Sequence, residues 1–223
     1  MSTDLNITTE TIRHVLDSLY PIHQRRDYQG PDHLLGTLIR TILNQQTTAD
    51  VARRVFGELI DEFGADWQRI ADAQLDMLIE IMRPAGLANQ KASRIRRLLR
   101  QLLDSTGGFE LDFLRDHPPQ QARRFLEELP GVGPKTARFT LMFAAGMPLF
   151  PIDTNISRVI RRLGWVPEDC SSAKAHQLME SAIPGGEHFS AHMVLIRHGR
   201  RICTSRNPRC TECPLAPDCP SAI

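Results

Sequence analysis

Four cysteines crowd the end of this chain in the pattern Cys203-x6-Cys210-x2-Cys213-x5-Cys219, and the only other cysteine is Cys170. Thiolates bind soft metals, and four of them complete a tetrahedral zinc site or hold one iron–sulfur cluster. The spacing brings the sulfurs together locally, so this loop is organised by a metal whatever the rest of the chain does. Paired disulfides are the competing reading. The cysteine-poor remainder argues against them, as does the polar start Met1-Ser2-Thr3-Asp4-Leu5-Asn6, which is neither an export signal nor an Arg-rich transit peptide. Zinc sites usually draw their ligands as two Cys-x2-4-Cys knuckles. Here a single Cys-x2-Cys is flanked by gaps of six and five residues, which favours one loop around a larger [4Fe-4S] core and leaves zinc open. Cys170, outside the run, reads as a free packing thiol.

The chain has 223 residues, enough for one or two domains with a sizeable core. Apolar residues make up 41% and charged residues 24%, the balance of a soluble protein, and no apolar run reaches membrane-span length. The expected location is the cytoplasm, with association to the nucleoid, and the expected state is a monomer. Net charge is only +1, so global charge does not announce a polyanionic partner. Its distribution does. Lys91, Arg94, Arg96, Arg97 and Arg100 form one acid-free stretch; Arg197, Arg200, Arg201, Arg206 and Arg209 form another beside the cysteines; Arg158, Arg161 and Arg162 form a third. Any one cluster suits a solvated helix face, but three of them point to a phosphate-facing side and to DNA.

Apolar residues recur at helical spacing almost throughout, and no alternating strand pairs are evident. Leu34, Leu35, Leu38, Ile39, Ile42 and Leu43 follow Asp32, which reads as an N-cap. Val51, Val55, Phe56, Leu59, Ile60 and Phe63 follow Thr48. Leu75, Leu78, Ile79 and Met82 are stopped by Pro84, and a helix through Ile95, Leu98, Leu99, Leu102 and Leu103 ends near Gly107-Gly108. The fold class is all-α, many short helices around shared cores.

Leu129-Pro130-Gly131-Val132-Gly133-Pro134-Lys135-Thr136-Ala137 predicts a helix ending at Leu129, a two-glycine turn and a new helix from Pro134. Glycines allow close backbone approach, and a helix N-terminus offers N–H groups to an anion such as a DNA phosphate. The segment resembles the helix-hairpin-helix of DNA repair proteins. With its lysine it resembles that of endonuclease III in particular. Ile152-Asp153-Thr154-Asn155-Ile156-Ser157-Arg158-Val159 resembles that family's catalytic-aspartate segment, and eighteen positions separate Lys135 from Asp153, as the family pattern requires. His198-Gly199-Arg200 leads into the cysteine spacing of the family's [4Fe-4S] loop. Gly86-Leu87 with Lys91-Ala92 resembles the loop that carries a DNA-wedging leucine. The resemblance runs from about Leu34 to Cys219.

That resemblance implies two lobes, with a substrate groove between them: a six-helix barrel over about 29–148, holding the hairpin near 122–143, and a cluster lobe from 1–28 and 149–223. It implies a base-excision repair glycosylase that flips a damaged base out of double-stranded DNA. The expected activity is removal of oxidised or ring-saturated pyrimidines, followed by strand cleavage at the abasic site. The implied site residues are Lys135 and Asp153 for catalysis, Cys203, Cys210, Cys213 and Cys219 for the [4Fe-4S] cluster, and Gln46, Leu87, Gly131, Val132, Gly133, Arg200, Arg206 and Arg209 for DNA, with Gln46 and Leu87 filling the vacated duplex space.

The chemistry is also legible in the residue types. A carboxylate steadies positive charge at a sugar carbon, and a lysine amine forms a Schiff base with the opened sugar, which permits β-elimination of the 3′ phosphate. Three features depart from the family pattern. Gln45-Gln46-Thr47 looks like the adenine-removing branch, but Thr41 occupies the place of that branch's glutamate; Asn155 stands where endonuclease III commonly has histidine; Ala88 replaces a bulkier aromatic. These leave two further readings: a same-fold glycosylase for mismatched thymine or uracil or alkylated bases, and a non-catalytic DNA-binding paralogue. A zinc module without a repair role is disfavoured by the lack of paired knuckles.

Overall fold

The computed structural model describes residues 7–223; the polar start, residues 1–6, lies outside the described residues. Eleven α-helices and four short 3-10 turns account for the regular structure there, and no strand occurs among the described residues. No described helix is long and apolar enough to cross a membrane. The chain divides into two compact units, one made of residues 1–29 and 146–223, the other of residues 30–145.

The continuous unit contains helices α2 (Leu34–Leu43), α3 (Ala49–Phe63), α4 (Trp67–Asp72), α5 (Leu75–Met82), α6 (Ala88–Thr106), α7 (Pro119–Glu127) and α8 (Pro134–Ala145). Local chemistry sets their ends. Thr48 caps α3, its side chain accepting from the Val51 N–H, and Gly64 ends it in the left-handed conformation. Gly107 ends α6 in the same way. Cores follow the apolar stripes: Leu35, Leu38, Ile39 and Ile42 of α2, Val55 and Leu59 of α3, Ile95, Leu98, Leu99 and Leu102 of α6, and Leu141 of α8 are fully buried. Each such side chain contributes roughly 1.5–3 kcal/mol through removal from water. α2 packs chiefly on α8, so the helix after the two-glycine turn rests on a helix whose residues are almost all buried.

Two boundaries differ from the sequence expectation. His33, not Asp32, caps α2: its Nδ1 accepts the Gly36 N–H at 2.9 Å. Asp32 instead accepts from the His33 N–H, the Thr37 hydroxyl and Arg40. The helix before the glycine turn ends at Glu127 rather than Leu129, because Pro130 forbids helical conformation at Leu129.

The discontinuous unit holds α1 (Thr9–His23), α9 (Thr154–Arg162), α10 (Ser172–Ala182) and α11 (His188–Arg201), followed by the cysteine loop. Ile12, Leu16 and Leu19 of α1, Ile156, Val159 and Ile160 of α9, Met179 of α10 and Ala191, Val194 and Leu195 of α11 form its core; Leu215 joins them, and Cys203 and Cys213 pack against it.

Candidate functional site

The hairpin turn is built by glycine. Gly131 has φ +80°, and a Cβ there would meet the Arg94 side chain at 3.0 Å. The Arg94 stem of α6 therefore lies across the turn, so this cation of the first basic cluster belongs with the hairpin. Val132 donates its N–H to the Leu129 carbonyl and buries its side chain in the turn. Among the described residues, the N–H groups of Gly131 and Gly133 make no recorded hydrogen bond to protein. Gln45 reaches Thr136 and the Gly131 carbonyl. Lys135 is exposed in the first turn of α8, two residues beyond Gly133.

Gln46 and Leu87 share an unusual conformation. Both are non-glycine residues with positive φ, +54° and +51°, and both are exposed. Leu87 shows 40% of its surface to solvent. Left-handed backbone costs an ordinary residue roughly 1–2 kcal/mol, and exposing leucine forgoes its burial. Each turn follows a helical segment, Gln46 after α2 and Leu87 after the 3-10 turn Arg83–Ala85.

Asp153 is the N-cap of α9. Its Oδ1 accepts from the N–H groups of Asn155 and Ile156 at 2.9 and 2.8 Å, and its Oδ2 from the Asn155 amide at 3.0 Å. Asn155 is held in turn by Arg158, whose guanidinium donates to Asn155 Oδ1 and to the carbonyls of Gly199 and Cys203. A Cβ at Gly199 would lie 3.0 Å from the Asn155 carbonyl oxygen, so only glycine lets α11 approach α9 this closely. The Asn155 side chain, itself held by Arg158, thus fixes the second oxygen of the Asp153 carboxylate.

The basic clusters divide once the structure is seen. Arg158, Arg161 and Arg162 do not form a phosphate-facing patch. Arg161 donates to the carbonyls of Pro167, Glu168 and Cys170, and Arg162 to those of Thr204 and Ser205. Lys91 is buried, and Arg96, Arg100 and Arg197 also bind backbone carbonyls. Arg200 and Arg206 are exposed, as is Arg209, whose contact with Glu212 at 3.5 Å is a solvent-facing pair worth little.

Cys203, Cys210, Cys213 and Cys219 line one cavity, together with Val159, Ile202 and Leu215. No group of three ligating side chains among the described residues is placed to hold a single metal ion. Four thiolates around one cavity are the donor set that an iron–sulfur cluster takes. Burial pushes the Cys213 thiol up, and the neighbouring cysteines add to this. A guanidinium donor and an imidazole nitrogen already face the sulfurs. Arg162 Nη1 lies 3.4 Å from Cys203 Sγ, and His198 Nε2 lies 3.7 Å from Cys213 Sγ. Burial, with His23 adding, holds His198 down to about 4, which keeps its ring neutral. Thr204 caps the first cluster loop by donating to the carbonyls of Arg206 and Asn207, which turns Arg206 and Arg209 outward. Cys170 stands apart, half-buried against the core.

The sequence profile of the HhH-GPD superfamily of base excision DNA repair proteins matches residues 39–184, and that of the iron-sulfur binding domain of endonuclease III matches residues 203–219. The chain belongs to the HhH-GPD superfamily. The endonuclease III of Sulfolobus acidocaldarius is 32% identical over 188 residues, 84% of this chain and 82% of that one. Two solved structures of endonuclease III with DNA, a non-covalent complex and a trapped covalent intermediate, are each 28% identical, with TM-scores of 0.81 and 0.80 over 97% of both chains. This HhH-GPD protein is a base-excision repair DNA glycosylase of the endonuclease III type that carries a [4Fe-4S] cluster.

Proposed function

We propose that the protein removes oxidised or ring-saturated pyrimidines from double-stranded DNA and then cleaves the strand at the abasic site. The observation that carries this reading is the joint presence of an exposed lysine in the first turn after the glycine hairpin and an N-capping aspartate whose second oxygen is held by an amide. A glycosylase that only hydrolyses needs the carboxylate alone.

In this reading the lesion leaves the base stack, at a cost of a few kcal/mol, before chemistry begins. Asp153 keeps its negative charge directed at the sugar as the N-glycosidic bond breaks; the bonding pair leaves with the base, which takes up a proton. The Lys135 amine bonds to C1′, and opening of the sugar ring gives an imine. Removal of a C2′ proton then expels the 3′ phosphate, and water hydrolyses the imine to restore the lysine. Gly131 and Gly133 present backbone donors to phosphate, and Arg94, Arg200, Arg206 and Arg209 add charge that fixes register without reading sequence. The cluster supplies structure, holding the Arg206–Arg209 loop in shape. Gln46-Thr47 and Asn155, which resemble the mismatch and adenine branches, favour a second reading in which the base removed is a mismatched thymine or uracil.

Borohydride trapping tests the catalytic pair. Lys135→Ala is expected to abolish trapping on both damaged and abasic duplexes while DNA binding survives. Asp153→Asn is expected to slow base excision by about a hundredfold or more, with a smaller loss on pre-formed abasic sites, because electrostatic assistance to base departure is then not needed. Persistent trapping by Lys135→Ala would assign the nucleophile to another amine. A panel of duplexes bearing oxidised pyrimidines, mismatches or alkylated bases separates the two readings of the substrate.

A further inference from the structure

Lys91 is the one lysine among the largest fully buried side chains, with 1% of its surface exposed. No acid neutralises it. Its Nζ donates instead to two backbone carbonyls, Leu43 at 2.8 Å and Ala85 at 2.7 Å. Leu43 is the last residue of α2, and Ala85 is the last of the 3-10 turn Arg83–Ala85. One ammonium therefore caps two helical C-termini, whose unpaired carbonyls carry the negative ends of the helix dipoles. Desolvation pulls the lysine below its ordinary value, the mark of a charge kept inside at a cost.

The two capped ends share a further property. Three residues after Leu43 comes Gln46, and two residues after Ala85 comes Leu87, both exposed and both in left-handed backbone. The backbone bonds local to these turns are few: Gln45 to Ile42, Thr47 to Asn44 and Gly86 to Arg83, at 3.1 to 3.4 Å. Strained residues persist only where surrounding structure over-determines them. Lys91 is the link that ties both turns to one point and so fixes their spacing. Its position in the first turn of α6 places that point directly behind Leu87, whose carbonyl accepts the Lys91 N–H.

We infer that Lys91 is a positioning residue for the duplex gap: it presents the Gln46 and Leu87 side chains as one rigid pair, so that they enter the space left by the flipped nucleotide together. This rests on the proposed gap-filling role of those two side chains.

Lys91→Met keeps the stem and removes the donors. Two measurements follow. Hydrogen exchange on the free protein reads the tether itself: the amides of Gln45, Thr47 and Gly86 are expected to exchange at least tenfold faster in the variant, at both turns together, while α3 and α8 stay protected. Acceleration at one turn only, or at neither, overturns the tether. Single-turnover base excision then reads its use. Lys91→Met and Leu87→Ala are each expected to lose about tenfold on a damaged duplex, and the double variant no more than either alone. Cleavage of a pre-formed abasic site in single-stranded DNA, which has no gap to fill, is expected to stay within about twofold of wild type. Fully multiplicative losses, or an equal loss on single strands, overturn the positioning role. Wild-type excision by Leu87→Ala would instead refute the gap-filling reading, with the exchange result still deciding the tether. Should Lys91→Met fail to fold, Lys91→Leu, which also removes the donors, carries the same measurements.

Discussion

Gly131 and Gly133 sit two residues apart in the hairpin, and alanine at each is expected to do opposite things. Gly131 has φ +80°, where an alanine costs roughly 1–2 kcal/mol. Its Cβ would also meet Arg94 Cδ at 3.0 Å and Cγ at 3.3 Å. Those atoms belong to a flexible stem that swings aside at small cost, so backbone strain dominates. For a chain of this size each kcal/mol lowers the melting temperature by about 2–4 °C, and Gly131→Ala is expected to fall by about 2–8 °C. Gly133 has no positive φ, and nothing lies within 4 Å of its Cβ position. There alanine leaves stability unchanged or raises it by about 0.4–1 kcal/mol through the unfolded chain. If a phosphate rests against the N–H groups of this turn, however, the new methyl occupies its approach, and affinity is expected to drop by about tenfold. Thermal melts and fluorescence anisotropy on a non-cleavable abasic duplex measure the two effects. A Gly133→Ala protein that binds like wild type would remove the hairpin backbone from the phosphate contacts. A Gly131→Ala protein of wild-type stability would contradict the strain argument.

Two other outcomes are expected. Arg209→Ala should weaken binding about equally on all sequences and reduce the slope of log affinity against log salt by about one unit; an unchanged slope in titrations across salt would place Arg209 off the DNA. Asn155→Ala removes the amide from Asp153 Oδ2 but leaves both capping bonds to Oδ1, so stability should fall by only about 1 kcal/mol while single-turnover excision falls more than tenfold; excision at the wild-type rate would mean that the amide does not orient the carboxylate.

Helices and several of their ends were legible because the signals are local. Apolar spacing marks α2, α3 and α6, and Thr48 and Gly107 act through their own side chain or backbone freedom. His33 was missed because its neighbour Asp32 is the commoner cap, and the choice depends on which ring or carboxylate reaches the Gly36 N–H. Lys91 and the arginines of α9 were misread for a different reason. Their partners are backbone carbonyls outside their own helices, and a carbonyl leaves no trace in the identity of the residue that bears it. Charge runs therefore show where cations are concentrated, not whether they face water. The cluster cysteines were legible as a metal loop, but the choice between iron and zinc needed the family relationship.

The unit that carries the cysteines is split in the chain, and this sets an order of events during synthesis. Residues 30–145 are continuous and can collapse as they emerge from the ribosome. α1 cannot finish folding then, because its buried face, Ile12, Leu16 and Leu19, packs in a core with Ala191, Val194 and Leu195, and His23 bonds to His198, 175 residues later. At about 5–20 residues per second, that interval lasts roughly 10–35 s, during which an amphipathic helix waits without its mate. Nascent chains are thus exposed to chaperones and proteases at the N-terminal helix, and iron can be delivered only after the last cysteine has left the exit tunnel.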